Sequence, residues 1–123
     1  MIQTEPRVAQ YDLEERTWQF ANRVNRYVNA LPKTVTNIEN GKQLARSGGS
    51  VGANYIEANE SLGKRDFLMR ARIAKKEAKE SRFWLSLSQP DQSEIQTRDD
   101  LIQEATELMK ILGAIITNSQ NGS

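Results

Sequence analysis

The chain has 123 residues, of which 37% are hydrophobic and 27% charged, and its formal net charge is +1. This length and balance predict one globular domain with a modest core rather than a disordered chain. The sequence contains neither cysteine nor histidine, which excludes disulfides and removes the commonest general base and metal ligand. The first residues hold no apolar run typical of a signal peptide, and no stretch approaches the roughly 20 apolar residues of a membrane span. We therefore expect a cytoplasmic protein that needs neither a membrane nor a cofactor.

The first predicted helix covers about residues 13–31. Asp12, three residues before Glu15, is typical of a capping box, and Pro32 would end the helix. Between them, apolar or small side chains recur at steps of four and three, which places them on one helical face. These positions are Leu13, Thr17, Phe20, Val24, Tyr27 and Leu31. We expect residues 1–11 to form a flexible tail.

The second predicted helix covers about residues 36–61. Thr36 and Glu39 form another capping-box pattern, and Gly63 is typical of the C-terminal cap and turn that end a helix. Small residues recur along it at steps of four and three, and we call them the glycine stripe: Gly41, Ala45, Gly48 and Gly52. Each glycine inside a helix costs about 0.8–1 kcal/mol relative to alanine, so we expect a neighbouring helix to pack closely there. A phosphate-binding loop is not favoured, because no strand precedes the stripe and no Gly-Lys-Ser/Thr sequence ends it.

The third and fourth predicted helices cover about residues 64–88 and 95–117. The seam of the third helix is Phe67, Ala71, Ala74, Ala78, Ser81 and Leu85. Its apolar face fades at Ser88, and Pro90 closes the helix. Ser93 and Gln96 form a capping-box pattern before the fourth helix, whose seam is Leu101, Ala105, Leu108, Leu112 and Ile115. With residues 118–123 as a flexible tail, the sequence predicts an all-α, antiparallel up-down-up-down four-helix bundle in a single domain, residues 1–123.

Charge is distributed unevenly along the chain, which points to a partner. Residues 61–85 carry eight basic and three acidic side chains, a net of +5, whereas residues 86–123 carry two basic and six acidic ones, a net of −4. Five cations lie on one side of the third helix, at about 80–180° from its seam. We call them the basic flank: Arg65, Arg72, Lys75, Lys76 and Lys79. Such a stripe can bind nucleic-acid phosphates; the alternative is a solvated face with intrahelical pairs such as Asp66–Arg70 and Lys76–Glu80.

An apolar strip lies on the other side of the third helix, at about 200–260° from the seam. It consists of Met69, Ile73 and Trp84, and it is adjacent to acidic residues of the same helix. This strip predicts a subunit interface in which the acidic side of one copy meets the basic flank of the next, a heterologous contact that can close into a ring. The alternative is that the strip widens the core-facing side of the helix.

Two Glu-x-x-Glu pairs lie on consecutive predicted helices, Glu57 with Glu60 and Glu77 with Glu80. Carboxylates in such pairs can hold Mg²⁺, and the arrangement is similar to that of the all-α nucleoside-triphosphate pyrophosphohydrolases. At 100° per residue, however, these side chains do not converge on the core. Solvated carboxylates are therefore the favoured interpretation. A ferritin-like di-iron site is excluded because it needs Glu-x-x-His.

The stretch "QLARSGGSVGANYIEANESLGKRDFLMRARIAKKEAKES", residues 43–81, resembles the four-helix-bundle proteins encoded in intervening sequences of bacterial 23S ribosomal RNA genes. That family typically shows Ser-Ile-Pro-Ala-Asn-Ile-Ala-Glu-Gly, and Ser50, Ala53, Asn54 and Glu57 match it without a gap. The resemblance implies a non-enzymatic bundle that assembles as a homopentamer and binds structured nucleic acid. A neighbouring branch is similar to accessory proteins of diversity-generating retroelements, which partner a reverse transcriptase.

The sequence thus favours a non-enzymatic, oligomeric bundle that binds or scaffolds RNA or DNA. Two alternatives stay open. One is an Mg²⁺-dependent nucleoside-triphosphate pyrophosphohydrolase that uses the Glu-x-x-Glu pairs. The other is a purely structural homo-oligomer.

Overall fold

A computed structural model describes the backbone of residues 5–122 and the side chains of residues 13–122. These residues form four helices: α1 (Glu5–Ala30), α2 (Val35–Asn59), α3 (Lys64–Leu87) and α4 (Ile95–Asn121), with a short 3₁₀ helix (Gln92–Glu94) before α4. Residues 5–122 contain no strand, so the prediction of an all-α fold is confirmed. No helix in this part of the chain is long and apolar enough to cross a membrane.

The first and last helices, α1 and α4, are longer than the sequence periodicity predicts. α1 begins at Glu5 rather than near residue 13, so Asp12 lies inside the helix and is not its N-cap. Pro6 suits this earlier start, because proline is tolerated in the first helical turn. α4 continues to Asn121 rather than ending near residue 117, and Gly122 caps it. Of the predicted tails, residues 1–4 and 123 lie outside the described residues.

The N-terminus of α2 is capped by Thr34, two residues before the predicted Thr36. The Thr34 side chain accepts a hydrogen bond from the backbone N–H of Asn37 at 3.2 Å. Asn37 is itself buried, and its side-chain Nδ2 donates to the backbone oxygens of Pro32 and Gln89, each at 3.0 Å. Asn37 therefore ties the start of α2 to the end of α3, which favours Thr34 over Thr36 as the cap.

Two further predictions about helix ends are wrong. Gly63 is the N-cap of α3, whereas α2 already ends at its C-cap Glu60. The capping box of Ser93 with Gln96 does not form either, because Glu94 occupies the N-cap of α4 without a side-chain hydrogen bond. The 3₁₀ helix that leads directly into α4 leaves Ser93 inside that short helix.

The helices pack in chain order as neighbours, and α4 also contacts α1. Contacts between consecutive helices join rising residue numbers on one helix to falling numbers on the next. They include Glu14–Asn59, Asn54–Arg70, Ser47–Ser81, Lys64–Gln120 and Arg82–Thr106. This order is that of an up-down-up-down four-helix bundle.

The core lies along the predicted seams. All six seam residues predicted for α1 are buried, as are Ala71, Ala74, Ala78, Ser81 and Leu85 of α3. At the two ends the seams differ from prediction, because Phe67 is only half-buried and Ile116 rather than Ile115 is buried on α4. Ser88, where the apolar face was expected to fade, is also buried and contacts the hydroxyl of Tyr27. A polar residue thus extends the seam because it has a hydrogen-bond partner inside the bundle.

Candidate functional site

The basic flank lies on the outer side of α3. All five of its side chains are exposed, and within residues 13–122 none of them forms a hydrogen bond or an ion pair. Lys75 extends over α4, where its Nζ would lie 3.4 Å from a Cβ placed on Gly113. A row of cations without carboxylate partners creates an uncompensated positive field along this side of the bundle.

Two of the three acidic residues of α3, Glu77 and Glu80, point the other way, towards α2. Arg46 of α2 donates to Glu77 at 3.4 Å and to Glu80 at 3.2 Å. Glu77 is only 7% exposed, so Arg46 supplies the countercharge that a buried carboxylate needs. The acidic side that was expected to meet another subunit is therefore largely engaged within the chain.

The intrahelical pairs that would neutralise the basic flank are not formed among the described residues. Arg70 donates to the Asn54 Oδ1 at 3.2 Å rather than to Asp66. Glu80 pairs with Arg46 rather than with Lys76. Because Arg46 of the neighbouring helix takes up Glu80, the exposed Lys76 is left to solvent.

The four glutamates of the metal-site hypothesis do not come together. Glu57 and Glu60 are exposed on α2, whereas Glu77 is buried against Arg46. Nowhere in the described part of the chain do three or more acidic side chains form a group that could hold a metal ion. The geometry therefore gives no support to the pyrophosphohydrolase interpretation.

The glycine stripe faces α1. A Cβ placed on Gly48 would lie 3.0 Å from Val24 Cγ1, and one placed on Gly52 would lie 2.9 Å from Thr17 Oγ1. A Cβ placed on Gly41 would lie 3.2 Å from Val28 Cγ1, and Ala45 is half-buried. Contacts this close leave no room for a side chain at Gly48 or Gly52, so the stripe serves the packing of α2 against α1.

The apolar strip of α3 is divided between surface and core. Met69 is 46% exposed and Ile73 is half-buried. Trp84 is partly buried and packs against the hydrophobic core. The indole of Trp84 thus widens the core-facing side of α3. Met69 is the most accessible residue of the strip.

One exposed aromatic residue was not singled out by its sequence pattern. Phe83 is 55% exposed on α3, and its helical angle of about 160° from the seam falls within the basic flank. The helical angle alone would have placed Phe83 within the basic flank. Arg46, by contrast, could not be identified as the partner of Glu77, because that pair joins two different helices.

A surface depression of about 400 Å³ lies between α1 and the start of α4. Its lining includes Arg23, Arg26, Glu94 and Asp100. Because it mixes two arginines with two carboxylates, the depression favours neither an anionic nor a cationic ligand. The basic flank is the surface of the described chain with the clearest chemical preference.

The chain is similar to known proteins in its sequence and in its fold. The family model described as 23S rRNA-intervening sequence protein matches residues 10–114. The chain is also similar to the crystal structure of a protein with unknown function from the S23 ribosomal protein family of Bacteroides thetaiotaomicron, with a TM-score of 0.72 and 29% sequence identity. That similarity covers 88% of this chain and 97% of the other. A comparison with curated proteins found no match.

Proposed function

The chain belongs to the 23S rRNA-intervening sequence protein family, and on that premise we propose that it is a non-enzymatic, oligomeric bundle that binds nucleic acid through the basic flank of α3. The observation that carries the proposal is the set of five exposed cations without carboxylate partners within residues 13–122. Such cations gain most from phosphates, because they need not first leave an ion pair.

The dimensions of the flank suit a nucleic-acid backbone. Arg65 and Lys79 are separated by about 21 Å of helix, at 1.5 Å per residue. Duplex DNA carries about one negative charge per 1.7 Å of its axis, so several phosphates lie within reach of this row. The flank offers charge without a groove that would read base edges, and the expected binding is weak, independent of sequence and strongly dependent on salt.

Assembly would strengthen such binding. A discrete oligomer repeats the flank once per subunit, and contacts that are weak individually then act together as multivalent binding. The resemblance makes a pentamer the expected assembly. Met69 is exposed and lies about 80° from Lys79 and about 120° from Lys75 around α3, so subunits that associate there would leave these two lysines accessible.

A charge-removal experiment tests the proposal. We expect the triple variant Arg72→Gln, Lys75→Gln and Lys79→Gln to bind duplex DNA and structured RNA more weakly at low salt, on the order of tenfold or more. Fluorescence anisotropy with labelled duplex DNA and with a labelled RNA hairpin measures the decrease in affinity, and light scattering shows whether the oligomer persists.

The matched control removes the same charge elsewhere. Lys33, Lys42 and Lys110 are exposed lysines outside α3, so replacing all three with glutamine leaves the basic flank intact. An equal decrease in affinity in both triple variants would contradict a role for the flank. If the wild type binds no nucleic acid even at low salt and the α3 variant dissociates into monomers, the flank serves subunit contacts and the protein is a structural oligomer.

A further inference from the structure

The basic flank contains one exposed aromatic ring, that of Phe83. At 100° per residue, Arg65, Arg72, Lys76, Lys79 and Phe83 all fall within a sector of about 60° on α3. Phe83 follows Lys79 by one helical turn, about 6 Å along the axis. The ring is 55% exposed, so it stands at the end of the row of cations with much of its surface in solvent.

The Phe83 ring is held in place by its neighbour in sequence. Its centroid lies 5.0 Å from that of Trp84, with an interplanar angle of 73°, an edge-to-face contact. Trp84 in turn packs against the hydrophobic core. Because the supporting indole is anchored and phenylalanine has only two side-chain torsions, a planar ligand that stacks on Phe83 costs the protein little conformational entropy.

The cations around Phe83 argue against a purely apolar contact. Lys79 and Lys76 lie on the same side of α3, and neither has an ion-pair partner within the described side chains. On the adjacent helix α4, Asp99 pairs with Arg98 and Glu107 pairs with Lys110. An apolar subunit interface centred on Phe83 would bury unpaired charges at its edge, whereas the cores of protein interfaces are depleted of charged residues.

We propose that Phe83 is a stacking platform for an unpaired base whose phosphates lie along the basic flank. The inference rests on the proposed function and narrows its ligand to nucleic acid with unpaired nucleotides, such as a single strand, a bulge or a hairpin loop. Bases inside a duplex are already stacked and cannot reach an exposed ring, whereas unpaired bases are commonly bound by a cationic groove together with aromatic side chains.

The test compares a single strand with the duplex formed from it. Anisotropy at low salt is measured with a labelled single strand, as RNA and as DNA of the same sequence, and with the blunt duplex formed from it. We expect Phe83→Leu to weaken single-strand binding about 5- to 150-fold, the range for removing one base–aromatic stack, with duplex binding nearly unchanged. Phe83→Trp should retain or strengthen single-strand binding, because it keeps an aromatic face.

The matched control is Trp18→Leu. Trp18 is 59% exposed, but on α1, so its replacement should leave the affinity for both ligands unchanged. Light scattering on the same samples measures the oligomeric state, and thermal unfolding should show that Phe83→Leu folds normally.

The outcomes separate the inference from the proposed function. If the wild type binds but Phe83→Leu has no effect, or weakens single strand and duplex equally, Phe83 is not a stacking platform, while binding through the flank stands. Dissociation of the oligomer in Phe83→Leu would make Phe83 an interface residue and likewise overturn the inference. If the wild type binds neither ligand, the proposed function itself fails.

Discussion

The hydroxyl of the buried Tyr27 has a hydrogen-bond partner inside the bundle. The Tyr27 hydroxyl lies 2.5 Å from Ser88 Oγ, and Ser88 Oγ also donates to the Leu85 carbonyl oxygen. Because serine has one hydroxyl proton, Tyr27 is the donor in its pair with Ser88. Burial raises the pKa of Tyr27 and that of Tyr55.

These raised pKa values predict a decline in stability in alkali. An unfolded tyrosine ionises near pH 10, whereas the folded protein holds Tyr27 and Tyr55 in the neutral form to higher pH. Above about pH 10 the folded state therefore binds more protons than the unfolded state, and the free energy of unfolding falls as pH rises. Below that pH the contribution is constant.

We expect the double variant Tyr27→Phe and Tyr55→Phe to show a shallower alkaline decline than the wild type. Urea unfolding between pH 8 and about pH 11 measures it, where the upper limit lies just above the ordinary tyrosine pKa. Lysines titrate in the same range in both proteins, so only the difference between the two curves reflects the tyrosines. Parallel curves would show that the tyrosine pKa values are the same in the folded and unfolded states.

At the scale of the helix, the contact between α1 and α2 depends on glycines that cannot accept a side chain. We expect Gly48→Leu and Gly52→Leu to destabilise the bundle by about 1–3 kcal/mol or more, because the new side chains would overlap Val24 and Thr17. Chemical denaturation measures the change in the free energy of unfolding.

Gly49 is the matched control. It lies on the same helix next to Gly48, but no atom lies within 4 Å of a Cβ placed on it. Gly49→Leu should therefore be neutral or stabilising by up to about 1 kcal/mol, since leucine has the higher helix propensity. Equal destabilisation at all three positions would mean that disrupted helix geometry, rather than contact with α1, explains the effect.

The helices also show which features a sequence can reveal. The seams of α1 and α3 follow from local periodicity, and residues such as Phe20, Val24 and Ala74 are buried as expected. The caps are less predictable, because Thr34 and Thr36 are both plausible until Asn37 is seen to contact Gln89. Pairs that join two helices, such as Arg46 with Glu77, depend on packing that periodicity does not specify.

The sequence likewise predicts some features of the candidate site and not others. The angular position of the basic flank follows from helical geometry, as does that of Phe83. The absence of partners for these cations among the described side chains does not, because it depends on contacts between helices such as that of Arg46 on α2 with Glu80. The helical angle of Trp84 predicts a position off the seam. The indole is wide enough to reach the core all the same.

At the scale of the whole molecule, association is expected to involve the exposed part of the apolar strip. We expect light scattering to show a discrete oligomer, with Met69→Lys dissociating it, because the new positive charge would face the basic flank of the next copy. Met69 is a sharper test than Trp84, whose replacement with glutamate would also disturb the core. Ile56→Lys, at an exposed apolar position of α2, is the control, and a wild type that is monomeric at high concentration would remove the interface argument.

The salt dependence of binding shows whether the basic flank contacts phosphates. For the wild type and duplex DNA, the logarithm of the association constant should fall linearly with the logarithm of salt concentration. In the variant with Arg72, Lys75 and Lys79 replaced by glutamine, the slope should become shallower by about 0.9 for each phosphate that is no longer neutralised. A slope identical to that of the wild type, or to that of the Lys33, Lys42 and Lys110 control, would show that these cations do not contact phosphates.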